Sequence, residues 1–200
     1  MVVLPLTYWG SVEYFANMIK AKDVVVDVNE NYVKRSERNR TEIITANGVM
    51  MLTVSLCNAN RPKTPMRDVR IDYSKRWQHQ HWMAIVSAYR SSPYFDMVAD
   101  RIASFYEKEW KFLVDYNREI LMAECELLGW EPTFRFSEEY VKPQEGVVDL
   151  RPKKRGTTFV APQYFQLFSD RMPFVENPSM LDLLMCEGRD ALDLLRRAEL

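Results

Sequence analysis

The chain has 200 residues, 47% of them hydrophobic and 12% aromatic, enough apolar surface for one good core and too much for a disordered chain. Its 27 basic and 28 acidic residues leave a net charge of −1, which excludes a global field that would draw it to nucleic acid or an acidic membrane. Locally the balance differs: Lys34 to Arg76 holds ten basic residues against four acidic, an excess of six that the rest of the chain outweighs.

The three cysteines, Cys57, Cys125 and Cys186, are odd in number and widely spaced, so a reducing compartment is expected. The N-terminus lacks a basic n-region and a long apolar stretch, and no apolar run approaches the ~18 residues of a membrane span. A soluble, cytoplasmic, single-domain protein spanning residues 1–200 is therefore the expectation.

In chain order, Val2 to Thr7 predicts a short strand, Ser11 a helix cap, and Val12, Phe15, Ala16 and Ile19 a helical stripe leading into the strand Val24-Val25-Val26. Strand, helix and strand within about thirty residues predicts a parallel βαβ unit whose carboxyl edge gathers Thr7, Tyr8 and Trp9 near Asp27, Asn29 and Glu30. Ligands of open α/β sheets bind at that edge.

If residues 32–40 are extended, Tyr32, Lys34, Ser36, Arg38 and Arg40 share one face. Glu42 to Ala46 and Val49 to Leu56 predict a hairpin around Asn47-Gly48, with a type I′ turn. Cys57 to Met66 is a polar loop, and Val69, Ile71 and Tyr73 suggest a further strand.

From about Ser74 the period turns helical. One helix carries Trp82, Ile85, Val86 and Tyr89, a second Phe95 to Phe105, and a third Phe112 to Leu128, ended by Gly129. Thr133 to Phe136 suggests a strand, and Glu138 to Thr158, with Lys153-Lys154-Arg155-Gly156, a long loop able to cover a site. Tyr164, Phe165 and Phe168 return to the core, Ser179 with Asp182 resembles a capping box, and a last helix covers Ala191 to Ala198. The class is α/β: an N-terminal βαβ unit and a hairpin in a mixed sheet, then a mainly helical half.

Asn31 to Arg40 is the most informative segment. Its arginines offer bidentate forks and its lysine a compact charge, which suit a phosphate or carboxylate; the alternative is a solvated charged strand pairing with Glu37 and Glu42. His79 and His81 would share a face on a strand, but their surroundings are helical, so no metal site is expected. His81 is a candidate proton-transfer group or a packing histidine beside Trp82; Asp27 and Glu30 are candidate bases or turn residues. Cys57 would be a nucleophile only if His81 reached it, and Cys125 and Cys186 belong to the core. No GxGxxG, P-loop or GxSxG motif is present, so dinucleotide, NTPase and α/β-hydrolase readings have no motif support and the cofactor is unknown.

An ordered set of residues resembles the WbqC-like protein family: Tyr8 with Gly10 and Tyr14-Phe15, then Glu30-Asn31-Tyr32-Val33-Lys34, Arg38-Asn39-Arg40, Asn47-Gly48 and Leu52-Thr53-Val54. It continues through Arg67-Asp68-Val69, Trp77, His81-Trp82, Ala88-Tyr89, Pro93-Tyr94-Phe95 and Ser179 to Leu184, ending in Glu187-Gly188. The resemblance implies cytoplasmic work on an activated sugar in O-antigen-type surface-polysaccharide synthesis, such as acyl or aminoacyl transfer to an amino sugar.

The candidate set is then His81, Asp27 and Glu30 for catalysis, and Tyr8, Tyr32, Lys34, Arg38, Asn39, Arg40 and Tyr89 for ligand binding. The expected partner is an anionic small molecule such as a nucleotide-sugar or acyl donor. A non-catalytic module for a nucleotide or nucleic acid, stacking on Tyr32 or Trp77, is the rival.

Overall fold

The computed structural model describes residues 1–57, 63–152 and 159–200. Strand β1 (Val2–Pro5), helix α1 (Val12–Lys20) and strand β2 (Val24–Asp27) form the expected βαβ unit, with Val2 beside Val24 and Pro5 beside Asp27. Ser11 caps α1, its hydroxyl accepting from the Tyr14 amide, and the helix buries Val12, Phe15 and Ala16 against the sheet.

Strands β3 (Arg40–Thr45) and β4 (Gly48–Thr53) make the hairpin, followed by α2 (Trp77–Tyr89), α3 (Phe95–Ala103) and α4 (Leu113–Leu128). Gly129 ends α4 at φ 65, the left-handed conformation that glycine adopts without a Cβ penalty. Strands β5 (Arg135–Phe136) and β6 (Val148–Asp149) join the parallel sheet in the order β5-β2-β1-β6, and α5 (Met180–Glu187) and α6 (Ala191–Arg197) close the chain. The α/β class and the helical C-terminal half are as the periodicity predicts, with the hairpin as a sheet of its own.

Several local expectations change. Residues 32–39 are not extended: Arg35 has φ 53, the Ser36 hydroxyl donates to the Val33 carbonyl, and the Asn39 amide donates to Ser36, so the segment is a chain of turns. The hairpin loop is Ala46-Asn47, because Thr45 pairs with Gly48; neither loop residue has positive φ, and Gly48 takes φ 110 instead, so the turn is not type I′. Around Val69 to Tyr73 only isolated bridges form, Leu56 to Ile71 and Arg70 to Phe112. The supposed loop after Glu138 contains β6, and Phe165 is exposed; Lys153 to Thr158 lie outside the described residues.

Two clusters of buried side chains share α4. One joins β1, β2, α1, α5 and α6; the other, rich in aromatics, joins the hairpin, α2 and α3. No helix among the described residues is long and apolar enough to cross a membrane.

Candidate functional site

The carboxyl edge of the parallel sheet holds a buried ionic network. Asp27, the last residue of β2, accepts from the Ser137 hydroxyl at 2.8 Å and from the Arg151 guanidinium. Arg151, just past β6, also grips Asp149 through Nε at 2.9 Å and Nη2 at 2.7 Å, which holds the Asp149 carboxyl below its usual range. Beside it the Arg38 fork closes on both oxygens of Glu30, with Nε to Oε1 at 2.8 Å, and its Nη2 donates to the Arg151 carbonyl at 3.1 Å. Burial pushes the Glu30 carboxyl up and the guanidinium opposes it.

The turns of residues 31–39 are pinned from three sides. The Tyr8 amide donates to the Glu37 carbonyl, the Asn117 amide group on α4 to the Arg38 carbonyl, and the Val54 amide to the Asn39 carbonyl. The backbone that carries Arg35 and Arg40 is thus held in place.

Between this loop, the hairpin and the start of α5 lies a cleft of about 320 Å³, walled by Trp9, Ser11, Arg35, Ser36, Glu37, Arg38, Arg40, Thr41, Glu42, Met51, Arg151, Pro152, Asn177 and Ser179. That volume lies in the small-ligand range of about 300–1,000 Å³. Two wall residues, Trp9 at φ 45 and Arg35 at φ 53, hold left-handed backbone that bulky side chains seldom adopt.

The N-termini of α1 and α5 meet across a Ser11 to Ser179 bridge, but their amides are largely engaged: Val12 donates to Pro178, Glu13 to the Asn177 side chain and Met180 to Gly10. Anion capture therefore falls to side chains. Among the described residues Arg35 and Arg40 have no ion-pair partner, the buried Nε of Arg40 has no hydrogen-bond acceptor, and the Oγ of Ser179, 1% exposed, has no partner. Ser179 stands at the cap position of α5, yet its side chain makes no capping bond, contrary to the capping-box expectation.

The aromatic residues go elsewhere. Trp9 Nε1 donates to the Tyr106 hydroxyl at 2.9 Å, Tyr106 and Tyr8 hydroxyls meet at 2.8 Å, and the Tyr8 hydroxyl meets His81 Nδ1 at 2.9 Å. The Thr53 carbonyl also faces the His81 ring. One direction is consistent along the chain: Trp9 donates to Tyr106, Tyr106 to Tyr8 and Tyr8 to Nδ1, which leaves the ring's proton on its other nitrogen. Burial depresses His81 to about 4, so the ring is neutral near pH 7, as that direction requires.

Of the predicted site residues, the structure brings together Asp27, Glu30, Arg38 and Arg40. Lys34 is exposed and does not line the cleft, Tyr32 donates to Asn39 at 2.8 Å as an internal prop, and Tyr8 and Tyr89 are fully buried. His81 is absent from the cleft wall. Tyr89 accepts the Ile44 amide at 2.9 Å and lies close to Asp182. Cys57 is exposed, with its thiol against the Ile71 carbonyl. Burial pushes Cys125 up to about 12, which fits a packing thiol. Sequence reasoning missed Arg151 and Ser179, the first because two-residue β6 carries no alternation, the second because it passes for an ordinary cap.

The model of the WbqC-like protein family matches residues 7–163, most of the chain. The chain belongs to the WbqC-like protein family. The matched span contains every wall residue of the cleft except Asn177 and Ser179. This WbqC-like chain is also similar to an uncharacterised protein of Mycobacterium tuberculosis (strain ATCC 25618 / H37Rv), Rv1507c, at 27% identity over 92% of this chain and 91% of that one. No solved structure matches it.

Proposed function

We propose that the cleft binds the phosphate or carboxylate of an activated small molecule, and that the protein is a transferase-like enzyme of surface-polysaccharide synthesis passing an acyl or aminoacyl group to an amino sugar. The observation that carries the anion reading is the pairing of Arg40 Nε with Ser179 Oγ in one cleft, both buried and without partners among the described residues. A buried donor left unsatisfied costs about 1–3 kcal/mol, a cost that a bound oxyanion offsets. The transferase part rests on the family's implied link to O-antigen-type synthesis.

In such a reaction the acceptor amine attacks the acyl carbon, the C–N bond forms, the bond to the leaving group breaks, and the amine's proton passes to a base. Glu37 and Glu42 are the carboxylates on the cleft wall. Asp27 and Glu30 hold Arg151 and Arg38 rather than facing a ligand alone, and His81 fixes Tyr8 and, through Tyr106, the Trp9 indole. A polynucleotide is less well served: of the two expected stacking residues, Trp77 is buried and half-buried Tyr32 has its hydroxyl tied to Asn39.

A thermal-shift screen against nucleotide-sugars, acyl-CoAs and short oligonucleotides tests the reading, since a ligand at 100 times its Kd stabilises by about 2.7 kcal/mol. A shift with a nucleotide-sugar or acyl-CoA that Arg40→Ala removes is expected. A response to oligonucleotides alone would transfer the site to a nucleic-acid-binding module.

A further inference from the structure

We infer that the ligand of this cleft is an amphiphile, an anionic head joined to an apolar chain, and that the chain lies along the outer face of the hairpin over Met51 and Val49. The inference rests on the anion reading above and adds the class of what is attached to the anion.

Strand β4 exposes three consecutive apolar side chains, Val49 at 50%, Met50 at 43% and Met51 at 47%. Such a run on a surface strand calls for a cover. The register assigns the faces. Arg40 pairs with Thr53, Glu42 with Met51 and Ile44 with Val49, and residues two apart on a strand share a face. Arg40, Glu42 and Met51 all line the cleft, so one hairpin face runs from the unpaired Arg40 Nε, over Met51, to Val49 near the turn.

Polarity falls along that line within about 7 Å per step of two residues. A ligand whose anion is held at Arg40 and Ser179 would carry its next few atoms over the Met51 thioether, a flexible and polarisable surface suited to chains of variable shape. A bare nucleotide or an unsubstituted sugar phosphate would leave this track uncovered. An acyl or prenyl chain would cover it, about five or six carbons between Met51 and Val49 and the remainder past the hairpin.

The competing occupant is a second copy of the chain, because the outer edge of β4 has no strand partner among the described residues and carries neither Lys nor Pro to discourage pairing. A dimer joined there would bury Val49 and Met50 without reference to Arg40. The line of falling polarity that starts at the arginine favours the amphiphile.

The test is a calorimetric titration of the full chain with straight alkyl phosphates from methyl to octyl, alongside light scattering of the free protein. Affinity should rise by up to about fourfold per methylene over the first five or six carbons and then level. In the Val49→Asn/Met51→Gln variant the octyl-to-methyl affinity ratio should fall toward one. Methyl phosphate binding with a ratio near one in the unaltered protein, or a ratio that the variant leaves intact, would overturn the track while sparing the anion site. No binding of any alkyl phosphate would remove both readings, and a dimer that Val49→Asn dissociates would assign this face to a second copy.

Discussion

Arg151 reaches back 124 residues to the buried carboxylate of Asp27, tying the end of the central strand β2 to the turn after the edge strand β6. The arginine is 6% exposed and the aspartate fully buried, so removing either partner leaves a charge in a poorly solvated place. Arg151→Ala should cost about 3–5 kcal/mol of stability. Because Asp149 also accepts from Arg151, Asp27→Asn should cost less than the arginine's removal. Urea unfolding of both single variants and the double variant measures this, with an expected coupling of about 1–3 kcal/mol. Strict additivity would mean that the two side chains do not act as a pair.

Arg38 and Arg40 sit two residues apart and should respond oppositely to truncation. Arg38 is 2% exposed and locked to both oxygens of Glu30, so Arg38→Ala should destabilise by about 3–5 kcal/mol and weaken binding only through the loss of structure. Arg40 has no carboxylate partner among the described residues and its buried Nε is unsatisfied, so Arg40→Ala should leave the unfolding free energy unchanged or raise it by up to about 1–3 kcal/mol. The same change should lower affinity for an oxyanion by tenfold or more, about 1.5–3 kcal/mol for a charge-assisted bond. Equal loss of stability in both variants would place Arg40 in the framework instead.

The contrast between these arginines marks what was legible in the chain. Short apolar runs located β1 and β2, which are buried on both faces, the Asn47-Gly48 pair located the hairpin, and period-3.6 patterning located α1 and the long helices, each of which buries one face. The sequence also marked the cation-rich segment. Its shape was hidden: hydrogen bonds from the Ser36 hydroxyl and the Asn39 amide fold it into turns, and side-chain alternation cannot register them. Contacts such as Tyr8 to His81, 73 residues apart, leave no local trace either, so an imidazole that looked available for proton transfer is engaged in a buried chain of hydroxyls.

Gly188 ends α5 with φ 56 and ψ −128, and a Cβ there would lie 2.5 Å from the Tyr94 ring. Gly188→Ala should therefore cost about 3 kcal/mol, combining backbone strain with the displacement of a packed ring. Gly146 provides the control: its φ is 77, but no atom lies within 4 Å of an added Cβ, so Gly146→Ala should cost about 1–2 kcal/mol. Similar urea midpoints for the two variants would show that Tyr94 yields without cost.

His81 and Asp182 should give the protein two opposed pH dependences. Burial lowers His81 from 6.5 to about 4, so its contribution is complete above pH 6.5 and lost as pH falls toward 4. Burial raises Asp182 from 3.8 to about 6, against the bond it accepts from the Tyr164 hydroxyl, so its contribution is complete below pH 3.8 and lost as pH rises through 6. Each shift corresponds to about 3 kcal/mol. The two slopes nearly cancel between pH 4 and 6.5, so together these two groups add little net slope there, and each variant is read as a difference from the parent. Asp182→Asn keeps an acceptor for the Tyr164 hydroxyl without a group to ionise, so its stability should climb relative to the parent as pH rises from 4 to 6.5. His81→Gln should show the reverse, falling relative to the parent over the same range. Urea unfolding at half-unit pH steps reads both slopes, and an Asp182→Asn profile parallel to the parent's would mean that Asp182 ionises in the folded protein at the pH of an ordinary aspartate.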